Sequence, residues 1–350
     1  MDEMDNLRNV RPEPEQRSLF TARNRLTEEV RGGDRRGLSA RIPFPHRGVT
    51  RVATAGALSV ALAGGLVLSQ TVSFGGGVPD SSARADEVLR RAAAAAEDRQ
   101  PLGEGDFAYL KTKQRGPAGG HPMTTYEEVW TSVDASQPGL FRQKRVGGGV
   151  PERLEEKGVS YEEWKQRQRK QQNSWERHKF PAGERTGRNL VSPSFAYLRS
   201  LPQDPHKLAA KLKQQADELP ENSTAGPFKV IAMALTDQVV PPGTAAAMFE
   251  AAQTFEGVSV VEDVELAASG EQGIAVTKVA GNQRTALVFD PETYQFMGVQ
   301  HVAMEDSLFG DAKAGDVLGS TAVVERALVA EAGQLPGGGH IPAGHHNSRE

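Results

Sequence analysis

The chain has 350 residues, enough for two average domains, and at 38% hydrophobic and 25% charged it permits a core without making it rich. Its 37 Gly and 21 Pro are about 17% of the sequence against a usual figure of about 12%, so a folded part joined to irregular stretches is expected. The absence of Cys excludes disulfides, lipobox lipidation, thiolate nucleophiles and Cys-ligated metal. The formal net charge of −4 is unevenly spread, with 11 basic and 8 acidic side chains in residues 1–51 and 30 against 37 in residues 75–350.

Residues 1–51 read as an arm. Pro12 and Pro14 forbid one continuous helix at its start. Beyond them Leu19, Ala22, Leu26 and Val30 recur at helical spacing on one face, with Arg and Glu around them. A single amphipathic helix of this length does not fold alone, so the stripe is docked on a partner, rests on a lipid surface or is only transiently helical.

From Val52 to Pro79 no residue is charged. The 23 residues 52–74 make about 34 Å of helix, enough to cross a hydrocarbon core of about 30 Å. A buried core helix rarely needs so long an apolar run, and this one has no polar stripe. Ala57, Ala61 and Gly65 form a small-residue ridge, which fits either close helix pairing or simple Ala/Gly richness. Arg35, Arg36, Arg41, Arg47 and Arg51 precede the run, so the positive-inside rule predicts a cytoplasmic N-terminus and an extracytoplasmic C-terminus. A cleaved signal is the competing reading, through the A-x-A site Ala83-Arg84-Ala85 or the pair Arg35-Arg36. The run is longer than an h-region and ends well before Ala85.

Residues 75–83 read as a linker, with Ser81 or Ser82 capping a helix from about Arg84 to Asp98. Phe107–Lys113, Thr125–Val133 and Gly139–Val146 have strand character and suggest a meander. In residues 147–192, where Tyr161 also falls, Trp164 and Trp175 are spaced to share one helix face, either as an aromatic strip for a ligand or as packing against the sheet. Asp204-Pro205 starts a helix through Glu218 with Leu208, Leu212 and Leu219 inward. Phe228–Leu235 and Thr244–Phe255 are two more helices. Strands return at Val258–Val264, Gly273–Val279, Thr285–Phe289, Tyr294–Met304 and Val317–Val324, with Asp290-Pro291-Glu292-Thr293 as a type I turn between two of them. Strands, helices and strands in that order predict an α+β fold, a curved antiparallel half-barrel-like sheet with packed helices. The domain division is 1–51 arm, 52–74 span, 75–83 linker, 84–331 extracytoplasmic α+β domain and 332–350 disordered tail.

No Walker A, G-x-S-x-G, H-E-x-x-H or dinucleotide fingerprint occurs, and no carboxylate pair is defined, so no catalytic residue, cofactor or metal site is assigned and no enzyme is expected. His340, His345 and His346 cluster only in the tail, which supplies ligands without fixed geometry. The basic stretch from Lys165 to Lys179 follows a block of acids and reads as a solvated helix, with no nucleic-acid partner.

The chain resembles an uncharacterised family of actinobacterial single-pass membrane proteins, often encoded beside extracytoplasmic-function sigma factors. The matching elements are Met4-Asp5-Asn6-Leu7-Arg8 with Pro12 and Pro14, Ala85–Ala96, and Val240-Pro241-Pro242 leading into Thr244–Phe255 and Gly257-Val258-Ser259-Val260. Phe289-Asp290-Pro291-Glu292-Thr293 ahead of Phe296, and Ser320-Thr321-Ala322-Val323, complete the match. The outer domain also looks similar to lipoprotein-carrier and sigma-regulator sensor domains, whose half-barrel covers an apolar cavity. The resemblance implies signalling across a membrane, although the arm lacks the Cys/His zinc motif of many anti-sigma domains.

Two functions are therefore expected. One is a membrane-anchored extracytoplasmic sensor or accessory regulator whose arm engages a cytoplasmic partner such as a sigma factor through Leu19, Ala22, Leu26 and Val30. The other is an extracytoplasmic lipid or lipoprotein binding module with a purely topogenic arm, its apolar cavity lined by groups such as Phe107, Trp130 and Phe289.

Overall fold

The computed structural model describes residues 78–99, 102–118, 121–148, 160, 162–163, 166, 169, 174–184, 190, 193–218, 226–306 and 312–342. The predicted arm and the span at 52–74 lie outside them. Among the described residues no helix is long and apolar enough to cross a membrane.

The fold is α+β, built on one nine-stranded antiparallel sheet. The strands are β1 (Phe107–Ala118), β2 (His121–Ser132), β3 (Gly139–Gly147), β4 (Trp175–Phe180), β5 (Val258–Leu266), β6 (Glu271–Ala280), β7 (Gln283–Phe289), β8 (Phe296–Ala303) and β9 (Val317–Val329). Their order is β4-β3-β2-β1-β9-β8-β7-β6-β5. The chain therefore meanders outward from β1 to the β4 edge, passes through four helices, and meanders back from the β5 edge until β9 lies beside β1. Among the described residues five continuous helices accompany the sheet: α1 (Val78–Glu97), α2 (Phe195–Arg199), α3 (Pro205–Asp217), α4 (Pro227–Asp237) and α5 (Pro242–Gln253).

Helix starts follow the sequence signals closely. Asp204 caps α3, its side chain accepting from the Lys207 amide at 2.9 Å, and Pro205 occupies the first turn. Helix α1 begins at Val78, earlier than the expected linker allows, with Pro79 in a first turn where its missing N–H costs nothing. Ser81 and Ser82 consequently lie inside the helix rather than at its cap. Between β7 and β8 the Asp290 side chain accepts from the amides of Glu292 and Thr293 and from the Thr293 hydroxyl. These bonds hold the Asp290 carboxyl below the usual carboxylate range.

All the helix packing falls on one face of the sheet. Leu89, Leu208, Leu212, Ile231, Leu235, Met248 and Phe249 close over Val276, Leu287, Phe289 and Val299 in one core. Phe249 meets Phe289 edge-on at 5.2 Å between ring centres, and Phe289 meets Phe296 at 5.9 Å. The alanine-rich stretch Ala92–Ala96 lets α1 approach α5, whose facing side is also alanine.

The opposite face carries a different cover, and three expectations change there. Phe107, Tyr109, Trp130, Leu140 and Val329 form a separate cluster with Ile341, which comes from the expected disordered tail. Residues 332–342 fold back because glycines supply the reversals, Gly333, Gly337 and Gly338 having φ of 98°, 88° and 93°. Backbone bonds from Leu335 N to Gly339 O and from Ile341 N to Gly333 O lock the loop, and Trp130 Nε1 donates to Gln334 O at 2.6 Å. His340 Nε2 lies 2.6 Å from a Glu331 carboxylate oxygen, so this tail histidine has a hydrogen-bond partner; His345 and His346 lie outside the described residues.

Trp175 is likewise not on a helix face. It opens edge strand β4, paired with Lys144 of β3, and the guanidinium of Arg142 sits 4.4 Å from its ring centre and 5.8 Å from that of Trp130. Tyr161 and Trp164 lie outside the described residues. Arg142 in turn holds the buried carboxylate of Glu128, a cross-strand partner. Here a charge-assisted pair under two indole rings, rather than helical periodicity, fixes the tryptophan.

Replacing Trp130 by Phe keeps the ring and removes the bond to Gln334. The expected outcome is a loss of about 1 kcal/mol in urea unfolding, together with faster amide exchange at Ile341. Unchanged exchange at Ile341 would show that the loop is held by other contacts.

Candidate functional site

The three residues expected to line one apolar cavity do not share one. Phe107 and Trp130 belong to the cluster closed by residues 332–342, whereas Phe289 is in the helix-side core. Strand alternation explains the separation. Tyr109 pairs with Trp130 and Ala327, placing these side chains on one face, while Arg326 and Leu110 pair on the other. Leu19, Ala22, Leu26 and Val30 lie outside the described residues.

The helix face instead contains a small pocket that the sequence reading did not nominate. Its walls are Ala92, Ala95 and Ala96 of α1, Leu102 beyond it, Leu235 of α4, Val240, and Pro242, Ala245 and Phe249 of α5. Gln295 and Phe296 close one side, and two cations, Arg99 and Arg326, face the space. About 30 Å³ is open to the centres of water-sized spheres, room for about two water molecules. The pocket exists because alanine side chains at the end of α1 stop short of the sheet.

The two arginines are held differently. Arg326 projects from β9 on the side of Leu328, toward the helices, and its Nη2 donates to Phe296 O at 3.3 Å. Its Nε is sealed from solvent and has no acceptor among the described residues. The guanidinium also lies 5.9 Å from the Phe296 ring centre. Arg99 follows the C-terminal end of α1, where the helix dipole favours a cation. Among the described residues neither arginine has a carboxylate partner, and the charge that acts on Arg326 is the like charge of Arg99.

These surroundings depress both guanidinium groups. Burial, with a smaller push from Arg99, brings Arg326 to about 9, and burial lowers Arg99. A base depressed on folding destabilises the fold while it is charged. The penalty at Arg326 is therefore fully present below about 9 and is relieved as pH rises toward the ordinary arginine range. At neutral pH both groups remain cations.

Neighbouring contacts tie α1 to the sheet around the pocket. Arg91 Nη1 donates to the Tyr294 hydroxyl at 3.0 Å and lies 5.0 Å from its ring centre. Tyr294 ends the β7–β8 turn in the left-handed region, at φ 58°. Arg84 pairs with Glu262 of β5. The pocket is thus bounded by α1, α5 and β9, with the turn before β8 as its rim. Among the described residues no group of three His, Asp or Glu could hold a metal ion.

One signal for the site was present in the sequence. In the stretch Glu325-Arg326-Ala327-Leu328, Arg326 has the parity of Leu328, which is a charge at an inward position of an alternating strand. The strand expected to end at Val324 runs on to Val329, so that parity lay beyond its predicted boundary. Nothing in the sequence pairs Arg99 with it, because the two stand 227 positions apart.

Comparison with known proteins assigns no family: no family model matches the chain and no curated protein matches it. Among solved structures it is similar to a DUF1329 family protein from Desulfovibrio piger, at 7% identity and a TM-score of 0.21, over 71% of this chain and 93% of that one. A likeness at that level assigns neither fold nor function.

Arg326→Met retains the stem of the side chain and removes an unpaired charge from the pocket. At pH 7 in a buffer without multivalent anions, its melting temperature is expected to equal or exceed that of the unaltered chain. A fall of more than about 4 °C, on the order of 1 kcal/mol for a domain of this size, would contradict the description of Arg326 as an uncompensated cation.

Proposed function

We propose that the chain is a membrane-anchored extracytoplasmic sensor or accessory regulator, in which the α+β unit recognises a ligand and the N-terminal arm engages a cytoplasmic partner. The observation that carries this reading is the two-arginine pocket walled by α1. That helix is the first element after the predicted span at 52–74, so a ligand seated between Arg99 and β9 acts on the segment nearest the anchor in the chain. Two guanidinium groups that have no counter-ion among the described residues cost stability, which is the pattern of residues retained for binding.

A half-barrel that shelters acyl chains would need a far larger cavity than this pocket provides. Phe107, Trp130 and Phe289 also lie in separate cores, so lipid binding through that set is not part of this proposal.

The arm is the other half of the reading. Leu26→Asp places a charge in its apolar stripe. Crosslinking the full-length chain in its own membrane should join it to a cytoplasmic protein, and Leu26→Asp should abolish that product. The same crosslinked product from both proteins would remove the arm from the mechanism and leave it a topology signal.

A further inference from the structure

We infer that the pocket between α1 and β9 is an oxyanion site, taking a phosphate or carboxylate group that bridges Arg99 and Arg326. The inference rests on the reading of this unit as a ligand-recognising module and names the chemistry of what it recognises.

The donor set points to this class. The planar guanidinium presents five N–H groups in a fixed fork that matches the paired oxygens of carboxylate or phosphate. Arg326 uses Nη2 on Phe296 O and has no acceptor for Nε, although that atom is sealed from solvent. A sealed, unmet donor on a cation is costly, and an anionic oxygen against the face of the guanidinium that lines the pocket offsets the cost of the charge. Arg99 brings a second cation to the same small space, and among the described residues no acid lines the wall. A cation ligand is excluded by this charge, and a neutral apolar ligand would leave both guanidinium groups unpaired.

Size sets how much of the ligand enters. Room for about two waters accommodates an oxyanion head but no chain attached to it. A longer ligand therefore inserts its anionic end and leaves the remainder outside, past the exposed Gln295 at the rim. The alanines at 92, 95 and 96 set the depth, because a longer side chain at Ala95 or Ala96 would occupy the space itself.

The test uses the full-length chain in detergent, titrated separately with sodium phosphate, sodium acetate and dihexanoylphosphatidic acid. Sodium chloride at matched ionic strength is the control. Calorimetry is expected to give saturable binding of at least one oxyanion, accompanied by a rise in melting temperature that chloride does not produce. Arg326→Gln and Arg99→Gln should each weaken binding by about tenfold to a hundredfold, the range of hydrogen bonds to charged groups. Arg326→Lys, which keeps charge without the fork, should recover only part of the loss. Tighter binding of the short-chain lipid than of phosphate marks a lipid headgroup as the source; equal binding marks a free anion.

No oxyanion effect beyond chloride would overturn the inference, as would equal binding by both Gln variants when each melts cooperatively. Such a failure leaves the sensor reading standing if the Leu26-dependent crosslink is present. Oxyanion binding without that crosslink keeps the pocket assignment and removes the regulator.

Discussion

The pairing of β1 with β9 is the constraint on which the rest of the structure depends. It runs from Phe107 opposite Val329 to Arg115 opposite Ser320, with a shift between Lys111 and Thr112, and it joins residues more than two hundred positions apart. Without it the sheet order separates into a four-stranded meander, β1 to β4, and a five-stranded one, β5 to β9. With it one continuous sheet offers one face to the helices and the other to residues 332–342 and to the β5–β6 turn, where Ala268 packs on Val288 and Ala322 and its amide donates to the Ser320 hydroxyl. The cluster around Trp130 draws on strands on either side of that junction, and on the helix side Ala108 and Leu110 of β1 pack with Val323 and Leu328 of β9 beneath Phe195 and Val239. Such long-range pairing is closed late and at high entropic cost, so the interlocking cores on the two faces must repay it.

The same junction places the pocket. Leu110 and Arg326 are cross-strand partners, so the register that buries Leu110 beneath the helices also sends Arg326 toward α1. The two faces then treat arginine in opposite ways. Arg142 is partnered by Glu128 and stacked between two tryptophans, which satisfies its charge and donors. Arg326 receives one carbonyl, a ring edge and a like charge. A fold that satisfies one buried arginine so fully shows what structural use of the residue looks like, and Arg326 does not fit that use.

Much of this architecture was legible in the sequence. The caps at Asp204 and Pro205, the turn at Asp290 and the alternating strands on both sides of the helices set nearly every element, because each depends on local chemistry. What escaped depended on partners distant in sequence. Trp175 was drawn into a helix by periodicity, but its place is decided by pairing with Lys144 and by Arg142. The glycine-rich end read as disorder by composition, yet its glycines make the turns that deliver Ile341 to Leu140 and Trp130. Phe107, Trp130 and Phe289 looked equivalent as large apolar residues on strands. Their faces follow from register, which hydrophobicity alone does not state. Arg99 and Arg326 meet only through the β1–β9 closure and the docking of α1, so neither could be nominated by a motif.

The account turns on whether the Arg326 guanidinium meets an anionic acceptor. The direct measurement is the arginine side-chain ¹⁵N–¹H spectrum of the full-length labelled chain in detergent, with the Arg326 signal assigned by its loss in Arg326→Lys, recorded with and without sodium phosphate. The account predicts that the Arg326 Nε–H signal moves downfield and exchanges more slowly with solvent at saturating phosphate, while that of Arg142, already bonded to Glu128, stays in place. An Arg326 signal that does not respond, or a shift shared equally by every arginine, would contradict it.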